Sequence, residues 1–88
     1  MMNNEQRIIQ MKNQLEAELA PSQLDIVDES HLHAGHAGAK SGKGHFRLII
    51  CSDKFLGLRP LQKHRLIYGA LGEMMETEIH ALTISIPA

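Results

Sequence analysis

A glycine- and histidine-rich segment between residues 31 and 44 constrains the fold of this chain more than any other feature. Its fourteen residues include four glycines and three histidines. Such a segment has few side chains to bury and much backbone freedom, so it favours neither a helix nor a buried strand. We therefore expect a flexible loop here, and the fold has to be built by the chain on either side of it.

The chain on both sides of this loop shows clear periodicities. Apolar residues recur at steps of three and four between residues 6 and 19, which predicts an amphipathic helix that ends before Pro21. Residues 24–28 alternate loosely and residues 45–52 alternate strongly, so both predict strands. Because the two strands flank one loop, we expect them to pair as an antiparallel hairpin.

The rest of the chain predicts a second helix and a third strand. Pro60 suits the first position of a helix, and residues 78–86 alternate as a strand does. The residues expected on the inner face of this helix are Leu61, His64, Ile67, Tyr68, Leu71 and Met74 or Met75. Those expected on one face of the last strand are His80, Leu82, Ile84 and Ile86.

These elements predict an α/β chain, more narrowly of the α+β class, that forms a single domain over residues 1–88. The order is helix, strand, strand, helix, strand. A strand–helix–strand crossover makes its two strands parallel, so the sheet has three strands and mixed directions. Both helices then pack on one face of it.

Composition narrows the class of protein. Cys51 is the only cysteine, so no internal disulfide can form. The longest apolar run, residues 48–51, is far too short for a membrane span, and the N-terminus has no signal-peptide pattern. We expect a cytoplasmic protein without membrane contact. A chain of 88 residues builds few deep pockets, which argues against an enzyme.

The charges are unevenly distributed. Residues 40–65 contain seven basic residues against one acidic residue, whereas the segments on either side are net acidic. Four of the basic residues cluster where the second helix begins: Lys54, Arg59, Lys63 and Arg65. A basic helix start can hold phosphates, so this cluster indicates either a nucleic-acid interface or a solvated surface.

The six histidines provide the other candidate chemistry. His31, His33 and His36 lie in the predicted loop, and His80 opens the last strand. Neutral imidazole is a common metal ligand, but two or three imidazoles do not close a structural zinc site. The pattern suits a half-site in which a partner supplies thiolates, as in mixed His and Cys ligation of a two-iron two-sulfur cluster. The alternative is that the loop histidines are solvated and bind nothing. We expect His64 to be a semi-buried structural residue.

Several short motifs resemble the BolA family, and together they cover nearly the whole chain. In order they are Asp28-Glu29-Ser30, His45-Phe46-Arg47, Ser52-Asp53-Lys54-Phe55-Leu56-Gly57, Lys63-His64-Arg65 and Ile79-His80-Ala81-Leu82. The resemblance implies a fold similar to a class II KH module. It also implies a monothiol glutaredoxin partner that shares a two-iron two-sulfur cluster with this chain, which would carry no cofactor and be a monomer when alone.

The resemblance also implies the ligands. His80 matches the family's histidine near the start of the last strand, and the second ligand comes from the loop, where His33 and His36 are both candidates. BolA-like proteins are also described as transcriptional or morphology regulators, which would make the basic helix a DNA-binding surface. Residues 56–59 do not form the GxxG loop of true KH modules, so the resemblance does not extend to RNA binding of the KH type.

Overall fold

The computed structural model describes residues 2–33 and 42–87, except for the side chain of His33. The first helix, α1, spans Asn4–Leu19. Asn3 caps it: its side chain accepts a hydrogen bond from the Gln6 amide at 2.8 Å, and the Gln6 side chain accepts one from the Asn3 amide at 2.9 Å. This reciprocal pair satisfies amides that a helix start leaves without internal partners.

Three strands form the predicted mixed sheet in the order β1-β2-β3. Strands β1 (Gln23–Asp28) and β2 (Gly44–Cys51) are antiparallel, and β3 (Ile79–Ser85) is parallel to β2. A 3-10 helix, Ser30–His33, follows β1, so the start of the predicted loop is a helical turn. The flexibility predicted for residues 34–41 lies outside the described residues.

The crossover from β2 to β3 contains a short 3-10 helix, Asp53–Phe55, and two α-helices, α2 (Pro60–Leu71) and α3 (Met74–Thr77). The sequence predicts one helix from Pro60 to Met74 or Met75, but Gly72 interrupts it with a φ of 55°. Glycine adopts this left-handed backbone without the penalty that a side chain imposes. The Gly72 amide still donates to the Tyr68 carbonyl at 2.9 Å, which closes α2.

The core lies between the inner face of the sheet and the helices. It comprises Met11, Leu15, Leu19, Phe46, Leu48, Ile50, Phe55, Ile67, Leu71, Met74 and Ile79. The inner face predicted for α2 is partly wrong, because Leu61 is 61% exposed and Tyr68 is 41% exposed. In α2 the buried residues are Ile67 and Leu71, which form a narrow stripe along the helix. The predicted face included residues on both sides of this stripe.

The alternation predicted for β3 is also wrong at its first two residues. The register shifts between the pairs Gly44–Ile79 and His45–Ala81, so His80 is an extra residue in β3. Such a β-bulge changes the direction of the side chains before it. Ile79 is therefore buried and His80 is exposed, while Leu82 and Ile84 keep the inward orientation that the sequence predicts.

Candidate functional site

His80 lies at the end of the sheet where β2 and β3 both begin. We call this region the His80 end; it comprises the N-terminal turns of α1, residues 28–31, residues 42–45 and residues 78–80. The Gly44 amide donates to the Glu78 carbonyl at 3.0 Å, and the Glu29 amide donates to the His45 carbonyl at 2.8 Å. The described chain on both sides of the glycine–histidine segment therefore lies at the same end of the sheet as His80.

The His80 ring is exposed and contacts a second imidazole. The ring centroids of His45 and His80 lie 4.9 Å apart, with the planes tilted by 50°. His45 is only 5% exposed, whereas strand alternation would place it on the open face with Arg47. A buried ring against one side of His80 restricts the orientations of His80 and leaves its outer side accessible.

The predicted loop ligands are His33 and His36. His33 ends the 3-10 helix that follows β1, so its backbone is at the His80 end. Its side chain, and the whole of His36, lie outside the described residues. Both stay candidates for the second ligand. His31 is exposed at the same end.

A buried arginine joins several segments at the His80 end. Arg7 is 4% exposed, and its Nε donates to Glu78 Oε1 at 2.9 Å. Its Nη2 donates to the Gly42 carbonyl at 2.8 Å and its Nη1 to Asn4 Oδ1 at 2.7 Å. Gly42 has a φ of 79°, a backbone conformation that suits glycine. One guanidinium thus contacts α1, a residue two positions before β2 and the residue directly before β3.

Asn4 extends these contacts to the end of β1. Its Nδ2 donates to Asp28 Oδ2 and to Ser30 Oγ, each at 3.1 Å. The Ser30 amide donates to Asp28 Oδ1 at 2.9 Å, and Ser30 Oγ accepts from the His45 amide at 3.0 Å. Burial alone would raise the pKa of Asp28, but the hydrogen bonds from Ser30 and Asn4 and the charge of His31 lower the pKa below its ordinary 3.8.

The predicted basic cluster lies away from His80, in a region we call the basic end: the C-terminus of α1, the 3-10 helix after β2 and the first turn of α2. Lys54 Nζ donates to the Glu18 carbonyl at 2.7 Å, so this ammonium serves the C-terminus of α1. Arg59 is the N-cap of α2, and Lys63 lies one turn further on the same side. Arg65 is about 200° around the helix axis from Lys63, so the four residues do not share one face.

His64 is half-buried on α2, as the sequence predicts. Its ring meets Tyr68 edge to face, with the centroids 6.3 Å apart. This contact links neighbouring turns of the helix. This contact is consistent with the structural role predicted for His64. His64 lies on α2, whereas His80 lies on β3.

Among the described residues of the His80 end, the candidate metal donor is His80. Within residues 2–33 and 42–87 there is no cluster of three or more His, Cys, Asp or Glu side chains that could hold a metal ion. An exposed imidazole at a rim is the kind of donor that can complete the coordination sphere of a group bound mainly by another molecule. His80 is an imidazole of this kind.

Three site residues, Asn4, Arg7 and Glu78, were not predicted from the sequence. One signal was available for Arg7, because it lies four residues before Met11 and so extends the buried stripe of α1. A charged residue on such a stripe has to be paired when it is buried. Which residue pairs with it is a matter of tertiary structure, and Glu78 is 71 positions away in the sequence.

A family model described as BolA-like protein matches residues 15–88. The chain is 42% identical over 83 residues to the chloroplastic protein BOLA1 of Arabidopsis thaliana, covering 91% of this chain and 52% of that protein. It is 40% identical over 74 residues to the DNA-binding transcriptional regulator BolA of Escherichia coli K12, covering 84% of this chain and 68% of that protein. A third relative is a SufE-like protein of Arabidopsis thaliana that is named as chloroplastic or mitochondrial. It is 40% identical over 83 residues, covering 89% of this chain and 22% of that protein.

Solved structures give the same result. The BolA domain of SufE1 from Arabidopsis thaliana has a TM-score of 0.80 and 36% identity, covering 98% of this chain and 93% of that chain. BolA1 from Mus musculus has a TM-score of 0.72 and 40% identity, covering 90% of this chain and 63% of that chain. None of the described helices is long and apolar enough to cross a membrane. Two of the relatives are named as organellar, so the cytoplasmic location stays a prediction.

Proposed function

The chain belongs to the BolA-like protein family, and from this premise we propose that it is a non-enzymatic adaptor that binds a monothiol glutaredoxin. In the complex it would co-ligate a two-iron two-sulfur cluster through His80 and through His33 or His36. Such a complex would serve in iron–sulfur assembly, in cluster transfer or in iron sensing. Among the relatives, two are named as BolA proteins, one of them a DNA-binding transcriptional regulator, and a third is named as a SufE-like protein.

The observation that carries the proposal is the bulge at His80. Regular alternation would place this imidazole on the inner face with Leu82, where no partner could reach it. The extra residue turns His80 out to solvent beside the chain that flanks the histidine segment. An accessible imidazole backed by a buried ring is suited to donate a lone pair to a metal that another molecule carries.

The cluster, when bound, supplies the iron and the electron-transfer chemistry. This chain supplies neutral nitrogen donors, which raise the reduction potential of such a cluster relative to thiolates. The network around Asn4, Arg7 and Asp28 links α1 to the end of β1, at the end of the sheet where His80 lies.

The test mixes the purified protein with cluster-loaded monothiol glutaredoxin and follows visible circular dichroism. The wild type should change the spectrum at a stoichiometric ratio. His80→Ala should lose the change or need at least about tenfold more protein, since a ligand is removed. His31→Ala is the matched control, because His31 is exposed at the same end and is not a proposed ligand. An unaltered response with His80→Ala would refute the ligand assignment.

A second candidate function is DNA binding through the basic end. Arg59 and Lys63 lie one turn apart at the start of α2, and one relative is named a DNA-binding transcriptional regulator. Affinity for duplex DNA should then fall steeply with salt. Loss of both charges in Arg59→Ala/Lys63→Ala should weaken binding more than Arg65→Ala does, since Arg65 projects from another side of the helix. Equal affinities for these two variants would count against a site at the start of α2.

A further inference from the structure

The burial of Arg7 is not explained by stability alone. It extends the stripe of Met11, Leu15 and Leu19, where an apolar side chain would pack against the same core without charge burial. A buried ion pair is costly to desolvate, and apolar replacements of similar volume are often neutral or stabilising. The role of Arg7 is therefore to be sought in the segments of the chain that its hydrogen bonds hold together.

The hydrogen bonds of Arg7 reach described residues that lie near the candidate ligands in the sequence. Glu78 precedes His80 by two residues, and its carbonyl accepts the Gly44 amide. Gly42 is the first described residue after positions 34–41. Asn4, held by Arg7 Nη1, bonds Ser30 where the chain leaves β1 for that segment. The N-terminus of α1 thus bonds the chain just before His80 and the described residues on both sides of positions 34–41.

We infer that Arg7 is a positioning residue: its guanidinium holds Glu78 and Gly42 together, which fixes the start of β3 and so the direction in which the His80 imidazole projects. This inference rests on the proposed function. We call Arg7 with its three partners Asn4, Gly42 and Glu78 the Arg7 clamp. The role uses donors on three separate nitrogens of a rigid plane, whereas lysine has the same charge but donates from a single nitrogen.

Arg7→Lys is accordingly the decisive variant, because it keeps the charge opposite Glu78 but cannot reach the Gly42 carbonyl and Asn4 Oδ1 at once. The first measurement is amide hydrogen exchange of the free protein. We expect the Gly44 amide to exchange about tenfold faster in Arg7→Lys, while the Leu48 amide in the middle of the sheet is unchanged. This readout needs no partner and no cluster.

The second measurement is the titration of cluster-loaded glutaredoxin followed by visible circular dichroism. Arg7→Lys should require about tenfold more protein for half of the spectral change, as is typical when a group that orients a metal ligand is lost. The control is Lys12→Met, which removes a charge from an exposed position of the same helix and should behave as wild type. His80→Ala is run in parallel.

A further variant covers the case in which Arg7→Lys does not fold. Arg7→Met/Glu78→Gln removes both charges, so no buried charge is left without its counterpart, and the core stripe is kept apolar. We expect this variant to fold, to exchange the Gly44 amide faster and to bind the loaded partner about tenfold more weakly.

The outcomes separate the inference from the proposed function. If His80→Ala loses the spectral change while the Arg7 variants keep it, the positioning role is wrong and the adaptor function stands. If the Arg7 variants leave the Gly44 amide as protected as in wild type, the clamp does not fix these segments and the inference is overturned. If His80→Ala responds as wild type does, the proposed function fails, and the positioning role fails with it even when the exchange result is as expected.

Discussion

The His80 end and the basic end are held by different kinds of contact. At the His80 end a buried guanidinium bonds a carboxylate, a backbone carbonyl and an amide oxygen from three segments of the chain. At the basic end the ammonium of exposed Lys54 bonds the Glu18 carbonyl at the surface. Buried charges fix geometry because any displacement leaves them without partners, whereas exposed ones are readily replaced by water. We infer that the segments of the chain at the His80 end are held in a more fixed arrangement than those at the basic end.

Removal of one partner of the buried ion pair should give the largest effect. Glu78→Ala leaves Arg7 in the core opposite no carboxylate, so we expect a loss of about 3 kcal/mol in the free energy of unfolding. Lys54→Ala at the basic end should lose at most about 0.5 kcal/mol, since its contact is exposed. Urea denaturation of both variants measures the contrast. Similar losses for the two would show that the ends are held equally firmly.

A β-carbon at Gly44 should give the next largest effect. It would lie 2.4 Å from the Phe46 ring and 2.8 Å from Asn4 Oδ1, and Phe46 is fully buried. Gly44→Ala should therefore destabilise the protein by about 2 kcal/mol through overpacking. Gly69→Ala is the matched control, because nothing lies within 4 Å of its added carbon.

Gly69→Ala should instead stabilise the protein by about 0.5 kcal/mol, since alanine favours the helical interior of α2. Thermal or urea denaturation of the pair gives both signs in one experiment. A neutral Gly44→Ala would mean that the His80 end accommodates strain, contrary to the fixed arrangement described above.

The smallest expected effect is the pH dependence of the His80 end. The folded-state pKa of Asp28 is below its ordinary 3.8, so its carboxylate stabilises the fold above that value. This contribution is lost as the pH falls through the folded-state pKa and Asp28 takes up a proton. The stability difference between wild type and Asp28→Asn should therefore shrink between about pH 5 and about pH 2. A difference that stays constant over this range would contradict the role of the Asn4 and Ser30 hydrogen bonds.

Much of the fold could be predicted from local patterns. The steps of three and four before Pro21, the alternation of residues 45–52 and the proline at position 60 each reflect chemistry within one element, and α1, β2 and α2 begin or end within a few residues of the predicted positions. The predicted inner face of α2 was less accurate at Leu61 and Tyr68. Burial of a helical residue depends on how much of the sheet the helix covers, and periodicity alone does not report that.

The candidate site was predictable in its residue types and not in its geometry. His80 was predicted as a candidate ligand from its position at the start of a strand, and the resemblance of residues 79–82 to a family motif supported this prediction. Its exposure was not predictable, because alternation places it with Leu82 and the bulge that reverses this arises from pairing with β2. The burial of His45 beside it has the same origin, since it depends on strands that meet only in the folded chain.

Residue types and their spacing along the chain are enough to establish the class of fold, the family and the concentration of histidines around one connection. The burial of Arg7 against Glu78 and the outward direction of His80 beside His45 depend on how distant segments pair in the folded chain. The physical reason is that hydrogen bonds and register are properties of pairs of segments. Partners far apart in the sequence leave no periodic signal in either one.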